Sequence, residues 1–192
     1  LRSMDNLMMD MAMEDIKAVW LLDQITEKAC YRAAIFARQG ADIIGLGDDV
    51  GMQESIMMSM EMYQQWIKPR LQKVINAAKS VNPEVLISYH SDGYIEPFIP
   101  ELIEMGVDIL NPIQPECMDF KEIHDKYGSQ ISFNGTIGTQ RLMPFGPPEE
   151  IKEEVNRNLD IAGEKGGLFC CPTHILEPEV PWENVEAYAE AC

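Results

Sequence analysis

The chain has 192 residues, 46% hydrophobic and 24% charged, and its 15 Lys and Arg against 32 Asp and Glu give a formal charge of −17. This is the usage of a folded domain rather than a disordered one, and so acidic a chain repels phosphate backbones and anionic lipid, which sets nucleic acid and membrane surfaces aside as partners. Short apolar stretches, an acidic Met-rich start without a cationic flank, and five cysteines (Cys30, Cys117, Cys170, Cys171, Cys192) without a CxxC pair point to a cytoplasmic protein with reduced thiols.

In chain order, the first helical pattern covers 11–38 and begins in the Met-dense run "LMMDMAM"; this run and "MMSMEMY" are expected to act as flexible core filling. A glycine suited to a helix C-terminus leads into the apolar run "ADIIGLG" (41–47), which ends in Asp48 and Asp49 with Gln53 and Glu54 a turn later. A helix is predicted over 60–80. The run "VLISYH" (85–90) follows and delivers His90 and Asp92. After a short helix over 95–104 comes "VDILNP" (107–112), which ends in Asn111 and Gln114. A helix over 120–127 carries His124, expected at the surface, and precedes "ISFNG" (131–135), with Asn134, Thr139 and Gln140 after it. The segment "PFGPPEEIKEEV" opens a helix over 148–164, since prolines and acids suit a first turn. Last come "LFCCP" (168–172), His174 and a helix over 182–191.

Continuous apolar strands separated by helices describe an α/β protein with a parallel sheet covered on its faces. The stretches "RQGADIIGLGDD" and "EMGVDILNPIQP" repeat one pattern of helix end, glycine, strand and polar turn, which is the grammar of a (β/α) barrel. In such barrels the chemistry sits on the loops after the strands. Any one of these Asp, Asn or Gly residues also reads as a turn former; together, with two of the three histidines among them, they read as a site. His90 and Asp92 are open to three roles: a hydrogen-bonded pair fixing a loop, metal ligands, or an acid–base pair. The same holds for His174. Alternation along the last strand sends Cys170 and Cys171 to opposite faces, where buried thiols are inert.

The stretches "GADIIGLGDDVGMQ", "YQQWIKPRLQKVINAAK", "YHSDGYIEPFIPELIEMGVDILNPIQP", "FNGTIGTQRLMPFGPPEEIKEEV" and "GGLFCCPTHILEPEVPWENVEAYAEA" resemble the carboxyl-terminal half of the uroporphyrinogen decarboxylase superfamily. The likeness runs over nearly the whole chain. It implies a TIM-type (β/α) barrel, here a partial one with about the last five strands. Residues 1–192 then form one domain whose amino-terminal part is missing. The superfamily holds decarboxylases that need no metal or cofactor, and zinc-dependent methyltransferases that exchange a methyl group with a corrinoid protein.

The methyltransferase branch is the nearer one. Its coenzyme M enzymes hold zinc through His-x-Cys and a later Cys, positions that are His90-x-Asp92 and His174 here. The resemblance therefore implies His90, Asp92 and His174 as catalytic residues and zinc ligands, with Asp48, Asp49, Gln114 and Gln140 binding a small-molecule substrate. Oxygen and nitrogen ligands make a harder metal than thiolates do, which suits the ether oxygen of methoxylated compounds. The corrinoid would arrive on a separate protein docked at the barrel mouth. Two alternatives stand beside this: a decarboxylase-like carboxy-lyase, and a non-catalytic partial barrel. In either case the open sheet edges call for the missing amino-terminal half or a second copy of the chain.

Overall fold

Parallel strands that are neighbours in both sequence and space need a crossover in every gap, and the sequence supplies helical segments in each one. The computed structural model, which describes residues 2–163 and 166–192, has this arrangement. Strands β1 (Ile43–Gly47), β2 (Leu86–His90), β3 (Ile109–Asn111), β4 (Ser132–Asn134) and β5 (Leu168–Phe169) form one sheet in the order β1-β2-β3-β4-β5. The β2–β3, β3–β4 and β4–β5 pairs are parallel. The registers Tyr89↔Leu110 and Leu110↔Phe133 bring the carboxyl ends of β2, β3 and β4 level.

The strands are shorter than the apolar runs that predict them. Val107 and Ile131 are buried in the core yet lie outside the ladder. Hydropathy reports burial, whereas a strand also requires paired backbone groups. Pro112 and Pro172 lack an N–H, and Gly135 at φ 87° turns the chain out of β4.

The chain divides into two compact units. The first comprises the residues up to Ile44, Met58–Ile87 and Glu104–Gly106. Its helices are α1 (Met4–Ala12), α2 (Ile16–Arg38), the single turn α3 (Met60–Met62), a π-helical segment (Tyr63–Ile67) and α4 (Lys68–Lys79). The single helix expected over 11–38 is thus broken. Glu14 adopts φ 53°, and Asp15 caps α2 by accepting a hydrogen bond from Lys17 N at 2.8 Å. A cap of this kind restarts a helix because its carboxylate satisfies a first-turn N–H.

Met11, Ala18 and Trp66 form a buried cluster, with Leu7, Met8, Leu22 and Met62 packed on it. The methionines divide accordingly: Met8, Met11 and Met62 fill core, while Met4, Met9 and Met13 are exposed. Arg70 pairs with Asp23 at 2.7 Å and stacks 5.5 Å from the Trp66 ring, which joins α2 to α4.

The second unit comprises Gly45–Met57, Ser88–Ile103 and Val107–Cys192. A 3₁₀ turn (Glu96–Phe98) leads into α5 (Ile99–Met105), and α6 (Phe120–Tyr127) follows β3. Beyond β4 come α7 (Leu142–Phe145) and α8 (Pro148–Ala162), and α9 (Trp182–Ala191) follows β5. The expected end of α8 at Glu164 lies outside the described residues. Leu110, Ile113, Ile123 and Phe133 are fully buried in this unit, and Phe120 meets Phe133 edge-on at 5.5 Å. His124 is half-buried rather than at the surface, its ring 5.7 Å from Phe120 and 6.0 Å from Phe133. Among the described residues, no helix is long and apolar enough to cross a membrane.

Helix α7 is not among the elements that the sequence predicts, the first helix after β4 being placed there at 148. Asn184, buried at the start of α9, donates to Met143 O at 2.8 Å and Gly146 O at 2.9 Å. This one amide ties α9 to α7 over the cluster of Ile137, Met143, Ile151 and Val155. Asn184→Ala strips two carbonyls of their partner and should lower the unfolding free energy by about 1–3 kcal/mol, measured by urea denaturation.

Candidate functional site

The level strand ends set side chains from different strands next to one another. His90 Nδ1 lies 2.7 Å from Asn111 Oδ1. Asn111 Nδ2 donates to Asn134 O at 2.7 Å and to Asn134 Oδ1 at 3.1 Å. Cys171 Sγ donates to the same Oδ1 at 3.0 Å. A continuous row of polar side chains therefore runs along the carboxyl end of the sheet from β2 to the residues just past β5.

The other ring nitrogen of His90 faces two carboxylates. Nε2 is 3.6 Å from Asp92 Oδ2 and 3.9 Å from Asp49 Oδ1, both beyond hydrogen-bond length. One ligand atom from each of Asp49, His90 and Asp92 lies within 4.8 Å of the other two. Among the described residues, the ion-pair contacts of these two aspartates are with His90 alone. His90 and Asp92 are half-buried and Asp49 is exposed, so the group opens to solvent on one side.

Backbone stitching between the loops after β1 and β2 holds these carboxylates close. Asp92 N donates to Asp49 Oδ1 at 3.1 Å, Val50 N to Ser91 Oγ at 3.0 Å, and Tyr94 N to Met52 O at 2.7 Å. Tyr89 OH reaches Asp48 O at 2.9 Å. The approach is close enough to demand glycine on both sides. A Cβ on Gly51 would stand 2.5 Å from Asp92 O, and one on Gly93, at φ 84°, would stand 2.7 Å from Met52 O. Ser91 and Gly51 thus set the loop that carries Asp92. Sequence reasoning passed over both, although small residues flanking a polar turn were the available signal.

The remaining residues singled out from the sequence separate by position. Asp48 keeps accessible surface while protein crowds around it; that crowding and then the neighbouring Asp49 push its carboxyl above the usual range. Gln114 is only 4% exposed and accepts from Gly93 N at 3.0 Å, so it holds the turn from beneath. Gln140 is exposed beyond β4. His174 is exposed beyond β5, its ring centroid 6.3 Å from that of His90, and it lies outside the 4.8 Å group. Thr139 and Thr173 meet at 3.0 Å and pin together the loops that carry Gln140 and His174. Cys170 and Cys171 lie just past β5 rather than within it, yet they part: Cys171 joins the polar row, while Cys170 packs against the apolar cluster under α8 and α9.

The model of the uroporphyrinogen decarboxylase (URO-D) family matches residues 1–192. The chain belongs to the uroporphyrinogen decarboxylase family. Among curated proteins, the chloroplastic uroporphyrinogen decarboxylase 1 of Oryza sativa subsp. japonica is 25% identical over 149 residues, which cover 78% of this chain and 34% of the rice protein. Among solved structures, a methyltransferase from Methanosarcina mazei superposes with a TM-score of 0.75 at 25% identity, covering 98% of this chain and 52% of that one. The chain therefore spans about a third of the curated relative and about half of the solved structure. Within this family the β1–β5 sheet with its helices is part of a TIM-type barrel, and the polar row lies at the strand ends where such barrels keep their chemistry.

Burial pushes the Cys170 thiol up to about 11. At pH 8 such a thiol is thiolate in roughly one molecule in a thousand, and only the thiolate is alkylated. Iodoacetamide should label the exposed Cys192 first and Cys170 last, and the lag should close as pH rises towards about 11. Peptide mass spectrometry over a time course reads the order.

Proposed function

We propose that the chain carries the metal-binding part of a cytoplasmic methyltransferase that moves a methyl group to or from a corrinoid protein, with methoxylated compounds as the substrate class. The convergence of Asp49, His90 and Asp92 within 4.8 Å is the observation that carries this reading. Two carboxylates and an imidazole, with no other ion-pair partner among the described residues, are a hard oxygen and nitrogen donor set that suits zinc. Three protein ligands leave one position for substrate. Zinc bound there supplies Lewis-acid polarisation of a substrate oxygen.

The chain's own groups do the rest. His90, Asp92 and Asp49 hold the ion, and Gln114 fixes the Gly93 turn that carries Asp92. Asp48 and Gln140 are assigned to substrate orientation, and His174, its ring 6.3 Å from that of His90, to proton exchange at the substrate oxygen. Met52 and Ile175, exposed apolar residues after β1 and β5, offer contact surface to a corrinoid protein. Similarity to the rice enzyme supports a second reading, a carboxy-lyase acting on a porphyrinogen without metal.

Purified chain should bind one equivalent of zinc by calorimetry, and His90→Ala or Asp92→Ala should weaken binding by about 100-fold or more. With methylated corrinoid protein and the right acceptor, the cobalamin absorption spectrum should change. Absence of zinc binding above background removes the metal reading, and consumption of uroporphyrinogen with release of carbon dioxide transfers the assignment to the carboxy-lyase.

The strand order ends in β1 and β5, whose residues Ile43 and Phe169 are 45% and 52% exposed. Apolar strand residues beside unpaired edges call for cover. We assign that cover to a complementary barrel segment or a second copy of the chain. Sedimentation at micromolar concentration should show a dimer or larger species, whereas a cooperatively unfolding monomer overturns this assignment.

A further inference from the structure

We infer that Asn111 is a positioning residue that sets the tautomer of His90, keeping the hydrogen on Nδ1 so that the Nε2 lone pair faces Asp49 and Asp92. The value of that lone pair rests on the metal reading above; the tautomer itself does not.

The orientation of the Asn111 amide is determined by its far side. One of its two polar atoms lies 2.7 Å from the main-chain oxygen of Asn134. A carbonyl oxygen only accepts, so the atom facing it must be the amide nitrogen. The second contact on that side agrees, since Asn134 Oδ1 receives both Asn111 Nδ2 and the Cys171 thiol. With the nitrogen committed there, Asn111 Oδ1 faces His90 Nδ1 at 2.7 Å. An oxygen without a hydrogen at that distance requires the imidazole nitrogen to donate. Neutral His90 is therefore protonated on Nδ1, and its Nε2 carries a lone pair.

Two features hold the device in place. The β2–β3 register pairs His90 with Asn111, and β3–β4 pairs the preceding Leu110 with Phe133, so Asn111 and Asn134 are level. Gly135 leaves the amide its room, because a Cβ there would stand 3.0 Å from Asn111 Nδ2 and 3.3 Å from Pro172 O. Any side chain at 135 would press on the carboxamide and on the chain just past β5. In the opposite tautomer an Nε2 hydrogen would occupy the space between the two carboxylates and Nδ1 would present its lone pair to an oxygen. Asn111 removes that alternative. Metal-binding histidines characteristically donate their other ring N–H to an oxygen acceptor, and Asn111 supplies one from the neighbouring strand.

The test uses the full chain without added metal. Long-range proton–nitrogen correlation spectra of ¹⁵N-histidine protein at a pH where imidazole is neutral report the tautomer of each ring, and the signal lost in His90→Gln identifies His90. The expected result is an Nδ1–H ring in the unmodified chain and a shift towards Nε2–H in Asn111→Ala. Zinc affinity should fall by about 10–100-fold in Asn111→Ala. An Nε2–H ring in the unmodified chain, or a tautomer unmoved by Asn111→Ala, overturns the inference. If Asn111→Ala does not fold, the unmodified chain decides it: an Nδ1–H ring supports the inference and an Nε2–H ring overturns it. A chain with the expected tautomer that binds no zinc leaves the positioning role standing and removes the metal reading alone.

Discussion

The structure depends on strand register. Because β2, β3 and β4 are parallel and level, the residues that end them stand side by side, and each polar group there must be satisfied by its neighbour in the next strand. His90, Asn111, Asn134 and Cys171 meet this demand as one row. A slip of one residue in any pair would turn the apolar side chains to the wrong face and scatter the row with them. The same alignment that closes the core, through Leu110 and Phe133, therefore also builds the site.

The loops add a second constraint. The chain after β1 and the chain after β2 run so close that glycine is required at 51 and at 93, and backbone N–H groups reach across to Asp49 and Ser91. Two carboxylates brought this near each other repel unless something positive or a donor stands between them. Asp92 N supplies one donor to Asp49, and next to it the Asp48 carboxyl is raised first by burial and then by the charge of Asp49. Two acids held this close around an imidazole are suited to a cation, which is the physical basis of the function proposed above.

Family membership and site chemistry bear on each other only loosely, since one barrel hosts different reactions on its loops. A decarboxylase from a plant and a methyltransferase from an archaeon are both 25% identical to this chain. What differs between chemistries on such a scaffold is the handful of side chains past the strands. Here these are acids, amides and histidines, with the one thiol in the row, Cys171, used as a hydrogen-bond donor to Asn134.

By itself the sequence determined the order of elements and the places where polar groups leave the strands. Apolar runs bounded by Gly and Pro located all five strands, and the positions of α6 and α9 follow from local periodicity. Asp48, Asp49, His90, Asp92, Gln114, Gln140 and His174 were legible as residues at or past strand ends for the same reason. Tertiary structure decided what those residues touch. That Asp49, 43 positions from Asp92, joins it at His90 while His174 stands apart comes from loop stitching, and no pattern within one segment encodes it. The break at Glu14, the short α7 under Asn184 and the contact of the half-buried His124 with Phe133 were hidden likewise. Periodicity records which face of a segment is buried, whereas register and long-range hydrogen bonds arise only when segments far apart in the chain are packed together.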